Sequence, residues 1–365
     1  MVFEPDISAN YRAPLDGCSS KPHIVRLLTQ AGRVSVPPLW TFRSDPVPGD
    51  HGRLPSCLLE GQVAVRWLWG CLILCAATVA TLLVVDPRDS AAADRNEATY
   101  SYGSHTRQTL DAYWNAAAEE RGGEQPGIVI LHGGYWYEDT GWATWSRTFA
   151  DAGYAVFTVD HRLNFDAPWP AQRTDALSAL DWIEDHAADF DLDPDRLVLL
   201  GSSSGGQLAT SVATYGAGAY RVDGVVGLSP VVSPYRAWQD GNAATATDRQ
   251  RKLRDNASIL ARCYPDPADT DTSTHPGCWG TWQDMAANSR ASGANDAPMY
   301  LLHSKGDFVP VQHSLDLEAA EESDHSMPAN GVTVETVAGS SHGGALLDEP
   351  GVADRVLAWI AERTY

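Results

Sequence analysis

A chain of 365 residues with 44% hydrophobic and 20% charged content fits a globular protein with a substantial core. Its net charge of -21 argues against nucleic acid or anionic lipid headgroups as partners, because both would be repelled. The charge is uneven: residues 1–94 carry 8 basic and 9 acidic residues, whereas 95–365 carry 18 against 38, a net of -20.

Residues 1–62 show no sustained periodicity and are broken by Pro5, Pro14, Pro22, Pro37, Pro38, Pro46, Pro48 and Pro55. They read as a poorly ordered extension, and translation from a later start, near Val63 or Val65, is the alternative. An uncharged apolar run follows from Trp67 to Val85, between Arg66 and Asp86. A run of this length is enough to span a bilayer as a helix. Arg66 and the run also have the order of a secretory signal, with Ala91-Ala92-Ala93 as a small-residue cleavage site. Residues 63–94 are therefore expected to be a signal peptide or a signal-anchor helix with its linker. Arg53 and Arg66 balance Arg88 and Arg95, so the basic residues do not decide orientation. The signal-like architecture places 95–365 outside the cell or tethered to its surface, with membrane contact only through 67–85 if that segment stays uncleaved.

From about residue 97 strand and helix signals alternate. Tyr100–Tyr102 and Leu110–Trp114 read as short edge strands. Ile128–Leu131 is an apolar strand that ends in His-Gly-Gly, and Tyr154–Val159 is another that ends in Asp160. Trp169-Pro170 opens a helix whose Leu177, Leu180 and Ile183 share one face. Leu197–Leu200 is a strand that runs into Gly201, and a helix follows from about Ser204 to Tyr215. Val225–Leu228 and Met299–Leu302 are further buried strands, Val332–Val337 alternates, and Val352–Ala361 closes the chain as an amphipathic helix. The alternation predicts an α/β domain over 95–365, with a mostly parallel sheet covered by helices on both faces. An insertion at about 233–296 is too long for a structureless loop and reads as a small helical cap. It holds Trp238, Trp279, Trp282 and the two cysteines of the domain, Cys263 and Cys278. A disulfide between these is expected if the domain is exported, and two thiols otherwise.

Four motifs carry chemistry. Gly201-Ser202-Ser203-Ser204-Gly205 sits between a strand and a helix, the context of a nucleophile elbow that lifts the middle serine, Ser203, above the sheet. His132-Gly133-Gly134-Tyr135-Trp136 follows an earlier strand. Its glycines allow backbone N–H groups to aim at a developing oxyanion, and the N–H of Ser204 would complete such a hole. Asp307 lies just past a buried strand, where a carboxylate can orient an imidazole. Asp316 and Asp324 compete but fall in the following helical stretch. His342, in the loop Gly339-Ser340-Ser341-His342-Gly343-Gly344, can act as general base. The chain order Ser203, Asp307, His342 is that of an α/β-hydrolase triad.

Residues from about 98 to 363 resemble the esterase/lipase branch of the α/β-hydrolases that carries an HGGG-type oxyanion loop. The resemblance rests on Val159-Asp160-His161-Arg162-Leu163, Trp169-Pro170-Ala171, Asp193-Pro194-Asp195-Arg196 and GSSSGGQLA. It implies an eight-stranded core sheet, no cofactor, a metal-free triad of Ser203, Asp307 and His342, oxyanion donors at Gly133, Gly134 and Ser204, and small carboxylic ester substrates. The sequence departs at Tyr135, where that branch usually has a third glycine, and HGGYW also resembles kynurenine formamidase-like members. An amide substrate is thus the alternative. A catalytically dead hydrolase serving as a binding module is a third reading, whose mark would be loss of a triad residue. Tyr135, Trp136 and the cap tryptophans are expected either to line the substrate pocket or to pack in the core.

Overall fold

In the computed structural model, which describes residues 95–115, 123–268, 277–324 and 331–365, eight strands join in a single sheet. They are β1 (Arg95–Ser101), β2 (Thr109–Asn115), β3 (Gln125–Leu131), β4 (Ala155–Val159), β5 (Leu192–Ser202), β6 (Gly224–Leu228), β7 (Met299–Ser304) and β8 (Val332–Val337). Their order is β1-β2-β4-β3-β5-β6-β7-β8. The pairs β1–β2 and β2–β4 are antiparallel, and the rest are parallel. The helices are α1 (Ala143–Asp151), α2 (Ala171–Asp185), α3 (Ser204–Ala213), α4 (Pro234–Asn242), α5 (Asp248–Ala261), α6 (Cys278–Met285), α7 (Gln312–Asp324) and α8 (Val352–Thr364).

Every residue of β3, β6 and β7 is buried, as parallel strands covered on both sides must be. Alternate side chains serve opposite faces. Ile128, Ile130, Val198, Leu200, Val226 and Leu228 meet Phe149 of α1 and Val352, Val356 and Ile360 of α8. Val129, Leu131, Leu199, Val225 and Leu301 meet Ala176, Leu180 and Ile183 of α2 and Leu208 and Val212 of α3. The fold is that of the α/β-hydrolases, as expected.

Some boundaries differ from the sequence reading. β1 covers Arg95–Ser101 instead of Tyr100–Tyr102, because it pairs along its whole length with β2, from Arg95↔Asn115 to Ser101↔Thr109. β5 begins at Leu192, since Gln125 pairs with Leu192 before an irregularity near Gly127. The buried face of α2 also includes Gln172, Arg173 and Asp175, so its apolar stripe alone understates it. Gln172 Nε2 donates to Ala167 O at 2.9 Å, while its Oε1 has no hydrogen-bond partner among the described residues; the two charged groups are partnered. Asp175 accepts from Arg162 Nη2 at 2.6 Å and from Gln108 Nε2 at 2.8 Å. The Arg173 guanidinium lies 4.0 Å from the Tyr215 ring and 4.9 Å from the Trp169 ring.

The 233–296 insertion is helical, built from α4, α5 and α6 with short 3₁₀ turns at Ala287–Ser289 and Gly293–Asn295. A capping box of Thr247 and Gln250 starts α5. A Cys263–Cys278 disulfide joins the end of α5 to the start of α6. Trp169 Nε1 and the Arg173 guanidinium both donate to Asp284 of α6, at 2.7 and 3.0 Å, and so fasten the cap to the body. The extension 1–62 and the apolar run 67–85 lie outside the described residues. Among the described residues, no helix is long and apolar enough to cross a membrane.

The disulfide closes a separation of 15 residues. On chain-entropy grounds Cys263→Ser is expected to lower the unfolding free energy by about 3 kcal/mol in oxidising buffer. Urea titrations with and without reductant check this, and reductant should remove the same increment from the parent protein.

Glu321 of α7 is buried, and its Oε2 accepts the Gly293 N–H at 3.0 Å. Burial first, and the nearby Asp296 carboxylate second, push its carboxyl up to about 8. The unfolded chain releases this proton near the ordinary carboxylate range, while the folded one holds it until about pH 8. Native stability therefore falls as pH rises between those points and levels off above them. Glu321→Gln is expected to flatten that slope and raise the urea midpoint at pH 8, as measured by urea titrations across pH 4–9. An unchanged slope would contradict the assignment.

Candidate active site

Parallel pairing brings the carboxyl ends of β3, β5, β6 and β7 to one edge, and Leu131, Gly201 and Gly227 are in register there. In open α/β sheets that edge is where ligands bind. The Gly133 loop, Ser203 and Asp307 leave the sheet from these ends, and His342 follows the neighbouring strand β8.

The turn from β5 into α3 forces Ser203 to φ 54°, ψ -114°. This is a left-handed conformation that a serine rarely adopts, with a cost of about 1–3 kcal/mol. Two backbone bonds hold it: Ser203 N donates to Leu228 O at 2.9 Å, and Val231 N donates to Ser203 O at 3.1 Å. Gly205 lets α3 approach β3, since a Cβ there would lie 2.1 Å from the Leu131 carbonyl oxygen.

Ser203 Oγ lies 2.9 Å from His342 Nε2, and His342 Nδ1 lies 2.8 Å from Asp307 Oδ1. With Asp307 ionised, Nδ1–H donates to the carboxylate and Nε2 is free to accept the Ser203 proton. The Asp307 side chain is fully buried. Burial raises its carboxyl, but the bond and charge of His342 outweigh this, with help from Ser229 and Val309, and hold it below the ordinary carboxylate value. Ser229 Oγ donates to Asp307 Oδ2 at 2.5 Å, and the Val309 N–H donates to Oδ1 at 3.0 Å.

The loop that bears His342 is fixed by serines. Gly343 N donates to Ser229 Oγ at 3.0 Å, Gly344 N donates to Ser202 Oγ at 3.1 Å, and Ser304 Oγ donates to Ser341 O at 2.7 Å. Sequence reasoning missed Ser229. Its position just after β6, beside Pro230, was the available signal, and its φ of 51° marks a second strained turn next to the first.

After β3 the chain turns sharply. Gly134 has φ 115°, and Tyr135 and Trp136 follow at 61° and 54°. The third glycine of the HGGG pattern would suit this backbone, so Tyr135 accepts a strained conformation in its place. Its ring stacks on Phe308 at 6.0 Å, and Lys252 Nζ lies 4.4 Å from its centroid. Behind the loop, His132 Nδ1 donates to Gly133 O at 2.7 Å and Nε2 lies 3.3 Å from Asp160 Oδ1. His161 stacks on His132 at 4.4 Å. Burial, reinforced by the adjacent His132, pushes the His161 imidazole down to about 3, so it stays neutral.

Ser203, His342, Gly133, Gly134 and Tyr135 line one cavity of about 400 Å³. Ser204 opens α3, and its N–H has no acceptor within the helix. Trp136 is not part of the cavity wall: its side chain is 1% exposed, and Nε1 donates to Gln207 Oε1 at 3.0 Å in the core. The cap tryptophans also pack elsewhere, Trp282 in the core and Trp238 against Tyr235. The aromatic walls are Tyr135, Trp142 and Trp145, joined by Glu138, Arg249 and Asp348. Trp142 and Trp145 sit at the start of α1, where nothing in the sequence pattern set them apart from core residues. Among the described residues no group of three or more His, Cys, Asp or Glu side chains could hold a metal ion.

The loop leaves no room for a side chain at Gly134, where a Cβ would lie 1.9 Å from Glu138 O. Gly134→Ala is expected to lower the unfolding free energy by about 1–3 kcal/mol. Gly141→Ala, whose Cβ would meet nothing within 4 Å, provides the control in thermal melts. Equal melting temperatures for the two variants would refute this account of the loop.

The BD-FAE family model matches residues 110–228, from β2 to the end of β6. Lipase 2 of Moraxella sp. (strain TA144) is 31% identical over 137 residues, covering 36% of this chain and 28% of the lipase. Carboxylic ester hydrolase LipN of Mycobacterium tuberculosis is 36% identical over 115 residues, covering 30% of each chain. The chain thus spans less than a third of the length of these two curated relatives. Among solved structures, esterase B from Lactobacillus Rhamnosis aligns with a TM-score of 0.58 at 20% identity, over 81% of this chain and 93% of its own. A truncated carbohydrate esterase from gut microbiota aligns with a TM-score of 0.56 at 19% identity, over 73% and 96%. At such identities the structural likeness establishes the fold.

Proposed function

Because this chain belongs to the esterase/lipase branch of the α/β-hydrolase superfamily, we propose that it is a serine carboxylesterase acting on small-molecule esters. The observation that carries this reading is the unbroken chain from Asp307 through His342 to Ser203 Oγ on the wall of the cavity. As Ser203 Oγ attacks the ester carbonyl carbon, His342 Nε2 takes its proton. The carbonyl oxygen becomes an oxyanion facing the N–H groups of Gly133, Gly134 and Ser204. One such donor is worth about 3 kcal/mol. When the tetrahedral species collapses, the C–O bond to the alcohol breaks and His342 returns the proton to the leaving oxygen. Water, deprotonated by His342, then attacks the acyl carbon; the bond from that carbon to Ser203 Oγ breaks, His342 returns the proton to Oγ, and the acid leaves. Asp307 keeps the imidazole in the required tautomer and stabilises it when charged. A cavity of about 400 Å³ suits a small substrate. The Cys263–Cys278 disulfide supports a location outside the cytoplasm for this domain.

Fluorophosphonate labelling of the full chain tests the nucleophile. Label is expected on Ser203, absent from Ser203→Ala and strongly reduced in His342→Ala. Labelling that survives Ser203→Ala would end the assignment. Hydrolysis of p-nitrophenyl esters but not of N-formyl amides is the expected outcome of a substrate panel, and the reverse would favour an amidase.

Ser229 acts through Asp307 and is a positioning residue. Loss of one hydrogen bond to a charged group is worth about 1.5–3 kcal/mol. Ser229→Ala is therefore expected to lower kcat about tenfold or more, with KM changed far less. The Ser229 hydroxyl is one of the groups that hold the Asp307 carboxyl below its ordinary value. In Ser229→Ala the Asp307 carboxyl loses that donor and rises, so the acid side of the kcat/KM profile is expected to move toward higher pH, which a purely structural role for Ser229 would not produce.

A further inference from the structure

Helix α5 carries four basic residues, and three have carboxylate partners. Arg251 pairs with Asp248 at 2.8 Å, Lys252 with Glu138 at 3.0 Å and Arg254 with Asp255 at 2.7 Å. The fourth, Arg249, is exposed and forms neither an ion pair nor a hydrogen bond among the described residues, yet it lines the same cavity as Ser203 and His342. Its guanidinium lies 4.0 Å from the Phe308 ring centroid, and Phe308 lies 4.2 Å from the His342 ring. A cation is thus held one aromatic ring away from the reacting groups.

Two features make this placement unusual. The domain has 38 acidic residues against 18 basic ones, so carboxylate partners are abundant. Arg249 also stands in the first turn of α5, right after Asp248, where the helix dipole disfavours a cation. A residue that opposes its local setting and has no partner among the described residues marks a functional position more than a structural one.

We propose, on the basis of the esterase reading above, that Arg249 is a specificity residue for esters that carry a carboxylate, in the acyl or in the alcohol part. The planar guanidinium can donate two parallel hydrogen bonds to a carboxylate. Its stacking on Phe308 holds the guanidinium over that ring. Glu138 is already paired with Lys252. Asp348, the other carboxylate of the wall, opposes an anion, so the attraction is local to Arg249.

The test compares kcat/KM of the full chain for mono-4-nitrophenyl glutarate, with the charge on the acyl side, for 4-butyryloxybenzoate, with the charge on the alcohol side, and for neutral p-nitrophenyl butyrate. For at least one anionic ester, its ratio to the neutral ester is expected to fall about tenfold or more in Arg249→Ala and further in Arg249→Glu. Arg249→Lys should recover part of it, and added salt should lower it in the parent enzyme. Arg251→Ala, which loses only a surface pair, should leave the ratio in place. The ester that responds tells which side the carboxylate occupies. Ratios unmoved in both Arg249→Ala and Arg249→Glu, with the esters still cleaved, would overturn the inference and leave the esterase reading standing. If none of the three esters is cleaved, both fall.

Discussion

The left-handed turn at Ser203 is the constraint around which the site is built. A serine at φ 54° would relax if released, and it is held by the end of the neighbouring strand β6. Its N–H is taken by the last residue of β6, and its carbonyl by Val231 just beyond. That is possible only because β5 and β6 are parallel and in register up to Ser202↔Leu228. The sheet therefore sets the distance from Ser203 to the loops after β6, β7 and β8 as well as carrying the serine. Ser229 inherits the same geometry: one residue past β6, it donates to Asp307 and accepts from Gly343. One hydroxyl thus links Asp307 after β7 to the His342 loop after β8.

Much of this order is readable from the chain because parallel strands buried on both sides write themselves as short apolar runs. Ile128–Leu131, Val225–Leu228 and Met299–Leu302 could be placed for that reason, and with them the motifs at their ends. β1 was harder to bound, since only one edge is paired and its burial alternates weakly between half-buried and exposed. The start of β5 was hidden by Asp193-Pro194-Asp195-Arg196, a polar stretch that looks like a turn. Here Arg196 donates to Asp193 at 2.6 Å and to Thr364 O at 3.2 Å, and so supports a strand end.

The cavity wall was less legible. Motif reasoning finds residues that react and misses residues that merely face them. Trp136 and the cap tryptophans were open to a pocket reading by residue type, yet Trp136 and Trp282 are core residues and the wall uses Trp142 and Trp145 instead. What decides is the direction of the chain after Gly134. Three successive positive φ values turn Tyr135 toward Phe308 and bury Trp136 against Gln207. No periodicity encodes such a turn, and Tyr135 replaces the glycine that would have signalled it.

The cap helix touches the site at two points less than one turn apart. Lys252 rests on Tyr135 and pairs with Glu138, both in the loop after β3, while Arg249 rests on Phe308, beside His342. A rigid helix cannot move one of these contacts without moving the other. Tilting α5 away from the sheet would loosen the loop after β3 and uncover His342 in the same stroke. The two walls of the cavity are mechanically ganged through one rigid helix.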